Sequence, residues 1–173
     1  FPVPVILAIL LNHMKNMRFK SFIQTVTYFP QFISMVVLTV MLGLFLSPRN
    51  GIINILIQAL GGDAVFFLGE AQWFRPVFVL SGVWQNAGWS AIIYIAALAS
   101  ISPDLYEAAQ VDGANKWQLI RHVDLPGILP TIVMMFIMEM GKVMSLGFQK
   151  AYLMQNNLNI AASEIISTYV YKV

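Results

Sequence analysis

Three stretches of this chain, 22–46, 75–101 and 126–147, carry almost no charge. Each exceeds the roughly 20 residues that a helix needs to cross a bilayer core. Arg75, Glu139 and Lys142 are the only Asp, Glu, Lys or Arg side chains in them. In lipid the backbone must satisfy its own hydrogen bonds, so apolar stretches of this length fold as helices. The expected fold class is therefore all-α, a multi-pass membrane protein, with spans at 22–46, 75–101 and 126–147. A fourth apolar run, 1–11, is too short to cross and reads as the end of a truncated span. The chain is 58% hydrophobic and 10% charged, with a mean hydropathy of +0.73. Soluble domains carry about 25% charged residues. The deficit points to lipid as a solvent, and nothing points to nucleic acid.

The segments between spans set further expectations. Residues 12–20 hold Lys15, Arg18 and Lys20, and 102–124 hold Lys116 and Arg121. Placing both segments in the cytoplasm leaves Arg49, Arg75, Lys150 and Lys172 outside, the arrangement that the positive-inside bias favours. Pro30 reads as a kink, and Ser47-Pro48-Arg49-Asn50-Gly51 reads as a turn. Residues 52–60, closed by Gly61-Gly62, form a short helix lying in the interface or packed on the spans. Residues 148–173 read as a loop followed by a mildly amphipathic helix. There is no cysteine. His13 and His122 are far apart and read as interfacial polar residues, so neither a metal nor another cofactor is expected. The chain begins without a Met and stops within a continuing pattern, so it is expected to be a piece of a longer protein.

The polar segment 102–124 predicts its own local structure. Ser102 can cap a helix that opens with Pro103, whose missing N–H is harmless at that position. Asp104 then stands in the first turn, near the positive end of the helix dipole. Leu105, Ala108, Ala109 and Asp112 share one face by spacing, and the alanines leave it shallow. Gly113 can adopt the left-handed conformation that ends a helix. Asn115 and Gln118 form a second capping pair, opening a helix with Trp117, Ile120 and Val123 on one side. Leu125-Pro126 restarts the chain toward the membrane.

The same segment carries a motif. Glu107-Ala108-Ala109-Gln110-Val111-Asp112-Gly113 is followed, at a fixed spacing, by Val123-Asp124-Leu125-Pro126. This resembles the cytoplasmic coupling loop, or EAA loop, of the membrane subunits of type I ABC importers; Val123 stands where isoleucine is frequent in that family. Further segments are similar to permeases for carbohydrates, closest to those for oligosaccharides and polysaccharide fragments. They are Tyr28-Phe29-Pro30-Gln31-Phe32-Ile33-Ser34, Val83-Trp84-Gln85-Asn86-Ala87-Gly88 and 147–156. The resemblance covers nearly the whole chain. It implies a helical-bundle permease of a bacterial cytoplasmic membrane, lacking its first and last spans here. A second permease subunit, two ATPase subunits and an extracytoplasmic solute-binding protein are its implied partners. It also implies docking on the ATPase through Glu107, Ala108, Ala109, Asp112 and Gly113. The chain has no Gly-x-x-x-x-Gly-Lys-Ser/Thr phosphate cradle, so ATP belongs to the partner subunits, and no catalytic residues are expected.

Polar side chains within the apolar stretches are candidates for the translocation path: Gln85, Asn86, Glu139 and Lys142. Amides suit sugar hydroxyls, and Trp84 or Trp89 could stack on a sugar face. The alternatives are hydrogen bonds between helices for the amides, and a structural pair or a snorkelling lysine for Glu139 and Lys142. The methionines 134, 135, 138, 140 and 144 read as lipid-facing residues or core filler. Other functional readings are an importer for a different solute, such as a peptide, or an ion-coupled carrier. An enzyme is not expected, since no nucleophile with a base or metal-ligand set stands out.

Overall fold

The computed structural model describes residues 1–142 and 147–172, and every regular element among them is helical. The order is α1 (Pro2–Asn12), α2 (Met17–Tyr28), α3 (Met35–Phe45), α4 (Ile52–Ala59), α5 (Ala71–Ala99), α6 (Pro103–Val111), α7 (Lys116–Leu119), α8 (Leu125–Lys142), α9 (Phe148–Met154), α10 (Ile160–Ser163) and α11 (Ile166–Lys172). Among the described residues one helix is long and apolar enough to cross a membrane, Lys116–Lys142; up to three are if each bent helix pair counts as one span.

Three expectations change. Segment 22–46 is not one kinked helix. α2 ends at Tyr28, a 3₁₀ turn occupies Phe29–Phe32, and α3 begins after Ser34. Pro30 removes a ladder donor, and Ser34 Oγ accepts from the Val37 amide to cap the new helix. The second arm of the 102–124 segment does not stop at Leu125-Pro126. Lys116–Lys142 is continuous, passing through a π-helical turn at Ile120–Asp124. The Leu125 amide bonds the Ile120 carbonyl there, an i→i−5 step that widens the helix just ahead of the proline. The third change is at 148–172, which holds three short helices rather than a loop and one helix. Residues 143–146, Met144 among them, and Val173 lie outside the described residues.

The chain forms two compact units. The first comprises the described residues within Phe1–Gln31 and Trp84–Met144. Its core joins α1, the later part of α5 and α8 through Val5, Ala8, Ile9, Ala91, Tyr94, Leu98 and Ile128. Ala8 and Ala91 are fully buried, and such small residues let helix backbones approach closely. Gly88 does the same against α2: a Cβ there would collide with the Thr27 carbonyl.

The second unit comprises the described residues within Phe32–Val83 and Ser145–Val173. Buried amides organise it. Asn54 Nδ2 donates to the carbonyls of Ser47 at 3.0 Å and Val65 at 2.9 Å, and its Oδ1 accepts from the Val65 amide at 2.8 Å. Asn156 and Asn159 both donate to the Leu68 carbonyl, at 2.7 and 2.9 Å. Asn159 Oδ1 also accepts from Ser163 Oγ. These bonds satisfy backbone groups that irregular chain would otherwise bury unpaired.

Candidate functional site

The segment between α5 and α8 folds as its residue types dictate. Ser102 Oγ accepts from the Asp104 amide, with Pro103 in the first turn of α6. α6 leaves the direction of α5 by 71°. Gly113 has φ +78°, the left-handed value that only glycine takes without strain. The Ala114 amide closes back on the Ala109 carbonyl, and Asn115 and Gln118 form a reciprocal capping box at the start of α7. The result is a helix, a sharp reversal and a second helix that runs on into α8.

This segment presents an unusual surface. α6 buries none of its residues. Leu105 is exposed, Val111 is 88% exposed and Trp117 on α7 is 70% exposed. Glu107, Ala108, Asp112 and Gly113 are exposed as well, whereas Ala109 is half-buried. The outward face is therefore Leu105, Ala108 and Asp112, with Ala109 turned partly toward the body of the unit. Leu105, Val111 and Trp117 thus stand out as exposed apolar side chains on an otherwise polar segment. A pocket of about 460 Å³ opens beside α6, lined by Asn12, His13, Pro103, Tyr106 and Glu107 among others.

Beneath α6 lies a polar cluster that sequence reasoning missed. Asp124, the last residue of the π-helical turn, is fully buried. Its Oδ1 accepts from the Tyr106 hydroxyl at 2.5 Å, and His13 Nε2 lies 2.5 Å from its Oδ2. Asn12 Nδ2 donates to the Tyr106 oxygen at 3.5 Å. Burial and the adjacent Asp124 push the Tyr106 hydroxyl up to about 12. His13 is thus not an isolated interfacial residue. Its partner lies 111 positions along the chain, and no local pattern announces such a pair.

The proposed path residues are placed unequally. Gln85 is buried on α5 while Asn86, its neighbour, is exposed. Trp84 and Trp89 are each half exposed. Glu139 accepts from Lys142 Nζ at 3.0 Å, three residues along the same helix. The charged pair therefore lies within α8 and does not bridge two helices. Met134, Met138 and Met140 are at least half exposed, and Met135 packs on the core. Among the described residues no three His, Cys, Asp or Glu side chains gather as metal ligands would.

Residues 4–173 match the family of binding-protein-dependent transport system inner membrane components. The chain belongs to that family. Among the relatives of this inner membrane component is the polygalacturonan/rhamnogalacturonan transport system permease protein YteP of Bacillus subtilis (strain 168). It is 43% identical over 99% of this chain and 53% of its own length. Protein LplB of the same organism is 41% identical over 99% of this chain and 54% of its own. In structure the chain matches a bacterial ABC transporter involved in the import of the acidic polysaccharide alginate. The TM-score is 0.96 at 39% identity, covering 99% of this chain and 60% of that one. The fold is thus the all-helical transmembrane domain of a type I ABC importer. The chain spans about half the length of these relatives, and the family makes it a membrane transport component.

Proposed function

We propose that this chain is part of the permease of an ATP-driven importer in a bacterial cytoplasmic membrane, carrying a sugar or oligosaccharide. The carrying observation is α6: a short helix with no fully buried residue, which shows Leu105, Ala108 and Val111 to solvent and is closed by a left-handed Gly113. In this reading α6 docks in a cleft of a separate ATPase. Ala108 lets it sit deep, Ala109 lies at the margin, and Glu107 and Asp112 add polar contacts. The ATPase subunits bind and hydrolyse ATP; this chain contributes no catalytic residue and no cofactor. A second permease subunit completes the path, to which Gln85, Asn86, Glu139 and Lys142 contribute, and an extracytoplasmic solute-binding protein delivers the cargo. The identity with YteP and with the alginate transporter supports a carbohydrate cargo. Segments 12–20 and 102–124 face the cytoplasm.

The test is uptake and ATP hydrolysis in proteoliposomes holding the full-length protein, its partner permease, the ATPase and the binding protein. Ala108→Trp should release the ATPase and abolish uptake. Uptake at the unmodified rate with the ATPase still bound would overturn the docking assignment. A cognate binding protein that takes peptides and no sugars would overturn the cargo. Orientation is checked by cysteine labelling of intact cells: position 63 should react from outside and position 116 should not, and the reverse pattern inverts the topology.

A further inference from the structure

We infer that Asp124 is a positioning residue for coupling: its two carboxylate oxygens fix the docking helix, through Tyr106, to the end of α1, through His13, at the root of α8. The inference rests on the docking role proposed for α6. Since α6 buries none of its residues, little apolar packing holds it to the unit. Tyr106, the residue just before Glu107, is its inward anchor. Asp124 stands just before Leu125-Pro126. One buried carboxyl group therefore pins both ends of the motif-bearing segment, and the chain between them moves as a piece.

The chemistry of the cluster favours positioning over stability. The Tyr106 hydroxyl donates to one carboxyl oxygen of Asp124, and His13 Nε2 lies within hydrogen-bond distance of the other. Burying such a group is expensive, and apolar residues of similar size often hold a fold as well. What a carboxylate adds is direction: two acceptors with fixed geometry, facing two elements 18 and 111 residues away in the chain. Asn12 extends the contact by donating to the Tyr106 oxygen. A displacement of α6 then pulls on α1 and α8 together.

The experiment uses the whole transporter in proteoliposomes and reads ATP hydrolysed per substrate imported. Tyr106→Phe removes one hydroxyl and leaves the docking face intact. The ATPase should stay bound and active while ATP consumed per substrate rises about fivefold or more, the lower end of usual coupling effects. Asp124→Leu also frees His13 and should raise the ratio at least as much, and the double variant should be no worse than Asp124→Leu alone, since Tyr106 has then already lost its carboxylate partner. Asp124→Asn retains an acceptor for Tyr106 and should be milder. A merely structural role would lower the yield of complex and leave the ratio unchanged. An unmodified ratio in Tyr106→Phe overturns the inference, even if Asp124→Leu fails to fold. Ala108→Trp separates the two readings. If it releases the ATPase and abolishes uptake while Tyr106→Phe leaves the ratio unmodified, the positioning role alone fails; if it transports normally with the ATPase bound, the docking reading fails and takes this one with it.

Discussion

The segment 102–124 and the amide-rich part of the second unit are both polar, yet they use polarity in opposite ways. Around Asn54, Asn156 and Asn159 the side chains are turned inward and make most of their hydrogen bonds to backbone. Around α6 the polar groups serve caps and a turn, and most side chains face outward. The first arrangement holds a fold together. The second shapes a surface and contributes little to stability, which is what a docking element requires. Substitutions in the two regions should therefore separate stability from transport.

The largest effect on stability is expected at Asn54. Asn54→Leu removes the side-chain partner of both the Val65 amide and the Val65 carbonyl and should cost about 3 kcal/mol. Thermal unfolding in detergent should show it; an unchanged midpoint would break the contrast. Lys150 comes next. It is buried, donates to the Phe78 carbonyl at 2.7 Å and sits 4.6 Å from the Phe78 ring centre. Burial lowers it from 10.5 to about 8. Between these values the folded chain binds fewer protons than the unfolded one, so stability should rise with pH through that window. From pH 8 to 10 the gain should be on the order of 2 kcal/mol. Lys150→Met should abolish it. Above pH 10 the raised Tyr106 acts the other way, because the folded chain then keeps a proton that the unfolded one loses.

Effects on stability should be smaller in the loop, and effects on transport larger. Gly113→Val puts a β-branched residue at φ +78° and should cost about 1–2 kcal/mol. Uptake should nonetheless fall severely, because the reversal behind α6 is distorted. Asn115→Ala removes the capping box and should cost about 1 kcal/mol, with a modest loss of uptake. If either variant unfolds the protein more than Asn54→Leu does, the loop is a structural keystone and the contrast collapses.

The same contrast explains what the sequence reveals. Ser102, Gly113, Asn115 and Gln118 act on neighbours two or three residues away, and their roles are legible from spacing alone. The break near Pro30 is legible in place but not in extent, since a proline marks a lost donor without saying whether helix resumes. Pro126 misleads for a related reason: the wider turn ahead of it absorbs the clash that would end an ordinary helix. Asp124, His13 and Tyr106 stay hidden because their meeting depends on how α1, α6 and α8 pack, which no short window encodes. Gln85 and Asn86 look alike in composition, yet only one is buried, and the face each takes is set by packing of α5.

The π-helical turn at Ile120–Asp124 also fixes a phase. Such a turn is a helix carrying one surplus residue, and each residue advances a helix by about 100°. Everything from α7 backward is thereby aimed differently from the direction that an unbroken α-helix would give it. Deleting a single residue within the turn would leave a helix of nearly the same length, yet Trp117 and the whole docking arm would swing about a third of the way around the axis. The surplus residue works as an angular setting, separate from the composition of the surface it aims.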